Sequence, residues 1–299
     1  MKIYYGIQKY TIDVTDICIN KLTQQNIITI PCSDMNRAKL FTDPLVGIHK
    51  QIFIEHDGNI IEYNDLTAIK INTLTNIINT DETTQEIINS KIQYVQSKLK
   101  LKYGSFNDEL PEQKMAIRYL TGNEKVLEIG GNIGRNSLVI GYTLNDSCNF
   151  VTLECDVNIA KQLTENRDLN NLNFHIECSA LSNRKLIQKN WDTIPSDILQ
   201  PGYKWVDTIT FNNLKSKYNI EFDTLILDCE GAFYYILMDM PEILEHINLI
   251  IMENDYWDIS KKNYVDDILV QNNFYRDYVE CGGWGPCYHN FFEVWKKSS

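Results

Sequence analysis

The stretch "KVLEIGGNIGRNS", residues 125–137, combines a strand, a glycine turn and the start of a helix. Val126, Leu127 and Ile129 form the aliphatic run of a buried strand, and the apolar residues that follow Ser137 suit a helix. A glycine turn between a strand and a helix leaves room for a ligand close to the backbone. The stretch therefore predicts a nucleotide-binding turn.

Strands and helices alternate from this stretch to the end of the sequence. The predicted strands are 126–130, 149–155, 173–178, 222–228, 248–253, 274–281 and 290–296. The predicted helices are 134–145, 157–170, 231–245 and 260–272. The last two strands have no helix between them and are expected to pair as an antiparallel hairpin. The pattern predicts an α/β, Rossmann-like fold with a seven-stranded, mostly parallel sheet, which is typical of class I methyltransferases more than of dehydrogenases.

Two further segments precede this sheet. Residues 1–65 are predicted to form a small β-rich module, in which 50–63 is a hairpin that turns at Asp57-Gly58. Residues 66–105 are predicted to be a helical connector, because apolar residues recur in it at helical spacing. The sheet domain itself is expected over residues 106–299.

The charge and the apolar content of the sequence limit the kinds of partner that the protein is expected to bind. The chain of 299 residues has a formal net charge of −12, which opposes binding to the phosphate backbone of nucleic acids. The sequence has no apolar run of the ~18 residues that cross a membrane, and it lacks the apolar core of a signal peptide. We therefore expect a cytoplasmic protein with neither a nucleic-acid nor a membrane partner. The segment "CGGWGPC", residues 281–287, is expected to be a glycine-rich loop beside a pocket rather than a disulfide or metal site.

The glycine turn departs from the dinucleotide-binding pattern. That pattern is G-x-G-x-x-G, and here Gly130, Gly131 and Gly134 are present while Asn132 stands at the position of the second glycine. Asparagine tolerates a positive φ, so the turn can stay tight while the amide points at a ligand. Glu128, beneath the turn, would repel a pyrophosphate and attract an ammonium. The turn therefore favours a ligand with an amino-acid part.

A second acidic residue suggests what else the ligand carries. Glu154 ends the second strand, twenty positions after Gly134, where a carboxylate can accept hydrogen bonds from both hydroxyls of a ribose. An ammonium and a ribose together describe S-adenosylmethionine. The structural alternative is that Glu128 forms a cap or an ion pair and that Glu154 faces solvent at a strand end.

Acidic residues also follow two later strands. Asp228 and Glu230 come at the end of the strand 222–228, and Glu253 and Asp255 end the next one. One of these carboxylates could act as a general base on an acceptor hydroxyl. Alternatively, Asp228, Glu230 and Glu253 could hold Mg²⁺, although the sequence has no ligand-spaced cluster that supports a metal directly.

Several motifs in order resemble the FkbM-type family of S-adenosylmethionine-dependent methyltransferases over about residues 106–299. These motifs are "VLEIGGNIG", "CSALSN" (178–183), "VDTITFNNL" (206–214), "LILDCEGAFYYIL" (225–237) and "NFFEVW" (290–295). The resemblance implies that Glu128, Gly130, Asn132 and Gly134 surround the methionine part, that Glu154 binds the ribose, and that Ser179 and Ala180 lie near the adenine. Phe233 stands where the family commonly has a second glutamate, so no role of that acid carries over to this sequence.

The resemblance is closest to the versions encoded by giant DNA viruses. It implies O-methylation of a small acceptor, and for a viral protein a sugar of a surface glycan, in the host cytoplasm. The alternative from a different class is a degenerate, non-catalytic domain that serves as a binding module. The first 105 residues lie outside the resemblance, and the β-rich module is expected either to shape the acceptor pocket or to form a homodimer.

Overall fold

The computed structural model describes residues 1–32, 34–65, 67–190 and 192–298. The chain folds into two compact units, Met1–Ser90 and Lys91–Ser299. None of the described helices is long and apolar enough to cross a lipid bilayer.

The first unit is built mainly of antiparallel strands, as the sequence predicts. Its strands are β1 (Lys2–Ile7), β2 (Tyr10–Asp13), β3 (Thr23–Gln24), β4 (Ile27–Ile30), β5 (Gln51–His56), β6 (Asn59–Tyr63), β7 (Ile69–Asn72) and β8 (Ile78–Thr80). Its helices are α1 (Thr15–Lys21), α2 (Asp34–Phe41) and the first part of α3 (Asp81–Lys98), which carries the chain into the second unit. The sheets have the strand orders β2-β1-β5-β6 and β3-β4-β7-β8.

The predicted hairpin at 50–63 is confirmed. Strands β5 and β6 pair antiparallel, and the turn between them has positive φ at both Asp57 (49°) and Gly58 (77°). Positive φ at both central residues gives a hairpin turn whose twist matches that of the flanking strands. The buried side chains Ile52 and Ile54 of β5 belong to the hydrophobic core of this unit.

The connector predicted over residues 66–105 is helical only over Asp81–Lys98. Ahead of that helix, β7 pairs with β4 and β8 pairs with β7. In β7, Ile69 and Ile71 are buried while Lys70 between them is exposed. This alternation has the period of a strand. It covers only four residues, so the helical spacing of apolar residues in the segment that follows dominates the sequence pattern.

The second unit contains the alternating elements. Its strands are β9 (Val126–Ile129), β10 (Phe150–Leu153), β11 (His175–Glu177), β12 (Ala180–Leu181), β13 (Leu186–Lys189), β14 (Asp192–Pro195), β15 (Lys204–Val206), β16 (Thr208–Ile209), β17 (Thr224–Leu227), β18 (Leu249–Glu253), β19 (Phe274–Glu280) and β20 (Phe292–Lys297). Its remaining helices are α4 (Leu110–Tyr119), α5 (Arg135–Thr143), α6 (Val157–Leu169), α7 (Phe211–Tyr218), α8 (Phe233–Asp239) and α9 (Ile259–Gln271).

The main sheet of this unit has the order β11-β10-β9-β17-β18-β20-β19, which makes seven strands within the described residues. Neighbouring strands from β11 to β18 run parallel, whereas β20 is antiparallel to both β18 and β19. In chain order within the sheet this is 3-2-1-4-5-7-6. The predicted Rossmann-like class I methyltransferase fold, with its closing antiparallel hairpin, is confirmed by this strand order.

The central strands explain where a ligand can bind. All residues of β9, β10 and β17 are buried, since helices cover both faces of a parallel sheet. The chain changes direction across the sheet between β9 and β17, and ligands of open α/β sheets bind beyond the carboxyl ends of the strands at such a point. The fold therefore directs the residues that follow these strands toward one edge.

The segment between β11 and β17 is more elaborate than the sequence predicts. It contains the paired strands β12 and β16, a small antiparallel sheet of order β14-β13-β15, and helix α7. These strands have only two to four residues each. Such short strands leave too few residues for an alternating pattern to be recognised.

Candidate functional site

A cavity of about 660 Å³ lies at the carboxyl ends of β9, β10, β17 and β18. The residues that line it include Gly130 and Asn132 after β9, Glu154 after β10, and Asp228 after β17. The four strands are adjacent in the sheet, so residues separated by about a hundred positions in the sequence meet around one space.

The turn after β9 is shaped by the close approach of two strand ends. Gly130 has a φ of 95°, and a Cβ atom there would collide with the backbone carbonyl oxygen of Asp228. A side chain at this position would therefore push β9 and β17 apart. Asn132 has the positive φ expected for it, 46°, and its Oδ1 accepts a hydrogen bond of 2.8 Å from the N–H of Ile133. Its Nδ2 donates to Oε1 of Glu109 at 3.2 Å.

Glu128 and Gly134 do not belong to the residues that line the cavity in the described part of the chain. Glu128 is 2% exposed, and its carboxylate accepts hydrogen bonds from Nδ2 of Asn136, at 3.2 Å, and from the hydroxyl of Ser137. Burial raises the pKa of this carboxyl to about 7, against the lowering effect of its hydrogen bonds. These contacts hold the first turn of α5 from below, and the contact with a ligand ammonium stays a prediction.

Gly134, in the same turn, allows two helices to pack closely. It precedes α5 with a φ of 93°, and a Cβ atom there would meet Cδ1 of Leu163 in α6. The last glycine of the pattern therefore allows α5 and α6 to approach each other. This is a packing role, and the ligand contact that the resemblance implies stays a prediction.

Glu154, Ser179 and Ala180 do line the cavity. Oε1 of Glu154 accepts a 2.7 Å hydrogen bond from the N–H of Asp156, and burial raises the pKa of the Glu154 carboxyl. The hydroxyl of Ser179 donates to Oε1 of Glu177 at 3.2 Å. The structure thus brings these three residues together with Gly130, while the contacts with ribose and adenine stay predictions.

Four carboxylates form a strongly acidic part of the cavity wall, the acidic end. Asp228, Glu230, Glu253 and Asp255 all line it. Burial and the surrounding carboxylates, with Glu109 first among them, raise the pKa of Asp228 well above its usual range. Burial and Asp255 raise the pKa of Glu230 to about 7. Burial together with neighbouring acids also raises the pKa of Glu253 and of Asp255. Negative charge is therefore costly here unless a cation enters.

Two acids at the start of α4, Glu109 and Glu112, complete the acidic end, and no sequence pattern predicted them. Glu109, just before α4, is paired through Oε1 with Nη1 of Arg135 at 2.6 Å. Glu112, in the first turn, is only 7% exposed, and carboxylate oxygens of Glu112, Asp228 and Glu253 all lie within 4.8 Å of one another. A glutamate in the first turn of a helix is common at the protein surface, so its spacing gave no signal.

The loop 281–287 borders the cavity, as predicted. Trp284 is among the lining residues, and Cys281 and Cys287 are both free thiols. The ring of Trp284 packs on that of Trp257 with centroids 4.4 Å apart. Trp284 and Trp257 are 44% and 76% exposed, so the loop adds an exposed aromatic surface to the border of the cavity.

Solved structures with a similar chain path include methyltransferases, at low sequence identity. An O-methyltransferase from Bacillus cereus in complex with SAH is 15% identical, with 72% of this chain and 91% of that chain covered and a TM-score of 0.42. A methyltransferase from Pyrococcus furiosus is 14% identical, with 73% and 100% covered and a TM-score of 0.40. The ribosomal protein L11 methylase from Lactobacillus delbrueckii subsp. bulgaricus is 11% identical, with 66% and 82% covered and a TM-score of 0.40.

No protein-family model matches the sequence, and the curated proteins contain no significant match. The fold assignment accordingly rests on the strand order of the main sheet.

Proposed function

We propose that the protein transfers a methyl group from S-adenosylmethionine to a hydroxyl of a small acceptor. The observation that carries the proposal is the cavity, which is lined by the glycine turn, by Glu154 and by Asp228 with further acids. A donor with a ribose and a positively charged sulfonium matches this arrangement, because a carboxylate can accept from ribose hydroxyls and the acidic end attracts the cation.

The donor would lie along the strand ends. Glu154 would accept hydrogen bonds from the ribose, and the wall formed by Ser179 and Ala180 would face the adenine. The open backbone at Gly130 and Asn132 would hold the amino-acid part, whose ammonium falls within the acidic cavity. The buried Glu128 would support the turn from below.

The chemical step needs alignment and the removal of one proton. The acceptor oxygen attacks the methyl carbon in line, the carbon–sulfur bond breaks, and its electron pair stays on sulfur to give S-adenosylhomocysteine. The hydroxyl proton passes to a carboxylate, for which we propose Asp228. The bound sulfonium is a positive charge, so it favours the ionised form of Asp228 that can accept this proton.

The acceptor class follows from the acidic end and its aromatic border. Glu230, Glu253 and Asp255 offer acceptors for several hydroxyl groups, and the ring of Trp284, which packs on that of Trp257, adds an apolar face to the same cavity. A sugar has both kinds of surface. We therefore propose a sugar acceptor, for which the resemblance to FkbM-type enzymes supplies the analogy with glycan methylation.

The test has two parts. Thermal unfolding is measured with and without S-adenosylmethionine and S-adenosylhomocysteine, which should raise the unfolding temperature if they bind the native state. Methyl uptake from the donor is then measured over a panel of nucleotide-activated deoxysugars. Uptake by at least one sugar is expected. The absence of a thermal shift at millimolar ligand would contradict the proposal and favour a non-catalytic binding module.

A further inference from the structure

Three carboxylates from separate elements converge at the acidic end of the cavity. Glu112 comes from the first turn of α4, Asp228 follows β17, and Glu253 ends β18. One oxygen of each lies within 4.8 Å of the other two. Two oxygens on opposite sides of one Mg²⁺ or Ca²⁺ ion are about 4–5 Å apart, so this spacing suits a single ion.

Glu112 gives a second and independent indication. The residue is only 7% exposed and lines the cavity, yet no hydrogen-bond donor from the described part of the chain reaches its buried Oε2. An unpartnered carboxylate oxygen in a buried position costs free energy. Such an atom points to a ligand that supplies positive charge.

The arginine that pairs with Glu109 beside this cluster is already occupied. Arg135 is paired with Glu109 at 2.6 Å, and its Nε lies 3.4 Å from Asp108. Glu112, Asp228 and Glu253 have no ion pair with a lysine or arginine among the described residues. A bound cation would supply the compensating charge that these carboxylates lack.

We infer that Glu112, Asp228 and Glu253 form a binding site for one divalent cation of the Mg²⁺, Mn²⁺ or Ca²⁺ type. The ligand atoms are all carboxylate oxygens, which such hard cations prefer, whereas zinc and copper sites draw on cysteine and histidine. The site replaces the expected set of Asp228, Glu230 and Glu253, because Glu112 rather than Glu230 is the third member of the close group. A cation there would lower the pKa of an acceptor hydroxyl that it binds.

Direct cation binding tests this site without any assay of methyl transfer. Purified, metal-free protein is titrated with Mn²⁺, and free Mn²⁺ is followed by its electron paramagnetic resonance signal. Mg²⁺ is then added as a competitor. We expect one saturable Mn²⁺ per chain, displaced by Mg²⁺. Substitution Glu112→Gln should weaken Mn²⁺ binding at least about tenfold, since loss of an outer-shell partner alone costs about 10–100-fold.

The matched control is Glu230→Gln, which removes the same charge from the same cavity but outside the close group. It should weaken Mn²⁺ binding much less than Glu112→Gln does. Glu253→Gln provides a second ligand variant if Glu112→Gln does not fold. Absence of saturable Mn²⁺ binding at millimolar concentration would overturn the inference, as would equal effects of Glu112→Gln and Glu230→Gln.

The inference rests on the proposed function only for the role of the cation. S-Adenosylhomocysteine binding is measured on the same samples. If S-adenosylhomocysteine binds and Mn²⁺ does not, the cation site is wrong and the methyl-donor site stands. If Mn²⁺ binds in the expected way and S-adenosylhomocysteine does not, the cation site stands and the proposed function fails.

Discussion

Two groups of buried carboxylates in the second unit differ in what surrounds them. Glu293 on β20 is 0% exposed, and its oxygens lie 2.9 Å from Nζ of Lys262 and 2.7 Å from Nη1 of Arg276. The indole N–H of Trp295 donates to it as well, at 3.0 Å. At the carboxyl edge of the sheet, Glu112 has an oxygen without any such partner among the described residues.

The pKa values follow this difference. Burial raises the pKa of Glu293, but Lys262 and its other partners outweigh burial and hold the pKa below the usual value. At Asp228 the effects of burial and of the neighbouring acids have the same sign, and the pKa lies well above the usual value. Burial alone therefore does not distinguish a structural acid from a functional one. What differs between Glu293 and Asp228 is the compensating charge around the carboxyl.

The largest expected effect is a loss of catalytic rate on substitution of Asp228, whose charge has no compensating partner among the described residues. Asp228→Asn should lower the rate of methyl transfer by about 10²–10⁴-fold, because the carboxylate that accepts the hydroxyl proton is lost. Affinity for S-adenosylhomocysteine should change little. The measurement is methyl uptake at saturating donor and acceptor, with donor binding determined separately. An unchanged rate would mean that Asp228 is not the base.

A substitution at Glu293, whose charge is compensated by its partners, should lower the free energy of unfolding rather than the rate of catalysis. Glu293→Gln removes one of the two carboxylates that pair with the buried Lys262, the other being Asp266, and breaking a buried pair from one side costs up to about 3–5 kcal/mol. Chemical denaturation of the full chain measures the free energy of unfolding. A loss below about 1 kcal/mol would show that this group is not held together by charge, and the comparison between the two groups would lose its basis.

The pH dependence of stability should show the titration of Glu128, a buried acid that has hydrogen-bond partners but no ion pair among the described residues. Glu128 has a raised pKa of about 7 in the folded chain, against about 4.3 when unfolded. Between these values the folded state holds a proton that the unfolded state has released. The stability from this proton is complete below about pH 4.3 and is lost as the pH rises through 7.

Glu128→Gln should therefore reduce the loss of stability over this range by up to about 1.4 kcal/mol per pH unit. The measurement is denaturation of the wild type and the variant at a series of pH values. Glu242→Gln is the control, because Glu242 is exposed and lies outside the cavity lining. Parallel pH profiles for the wild type and Glu128→Gln would contradict the assignment of Glu128 as a buried, protonated carboxyl.

The smallest expected effect sharpens the comparison most. Glu112→Gln, measured without divalent cations, should change the free energy of unfolding by less than about 1 kcal/mol or raise it, because it removes one of several repelling carboxylates. Glu293→Gln is the matched substitution at a compensated site. A loss for Glu112→Gln as large as that for Glu293→Gln would mean that Glu112 has a stabilising partner after all.

The sequence was sufficient for the framework of the second unit. Long apolar strands such as 222–228 and 248–253 alternate with helices, and this pattern determines a parallel sheet whose strand ends meet at one edge. Glu154 and Asp228 could be placed at that edge because each directly follows such a strand. Their presence in one cavity follows from chain order and strand direction.

The remaining features depend on tertiary contacts that no local pattern encodes. Glu128 lies within a strand, and which face its side chain takes depends on Asn136 and Ser137 in the next helix. Glu112 belongs to a helix that precedes the sheet in sequence, so its approach to Asp228 and Glu253 requires the packed structure. The strands β7 and β12 are too short for their periodicity to compete with neighbouring signals.

Titration calorimetry with S-adenosylhomocysteine tests the central claim most directly, on the wild type, on Glu154→Gln and on the exposed control Glu242→Gln. We predict one binding site per chain in the wild type and the control. We predict affinity at least about tenfold weaker in Glu154→Gln, since a hydrogen bond to a charged group contributes about 1.5–3 kcal/mol. Absence of binding to the wild type, or equal affinity in all three proteins, would contradict the placement of a methyl donor along these strand ends.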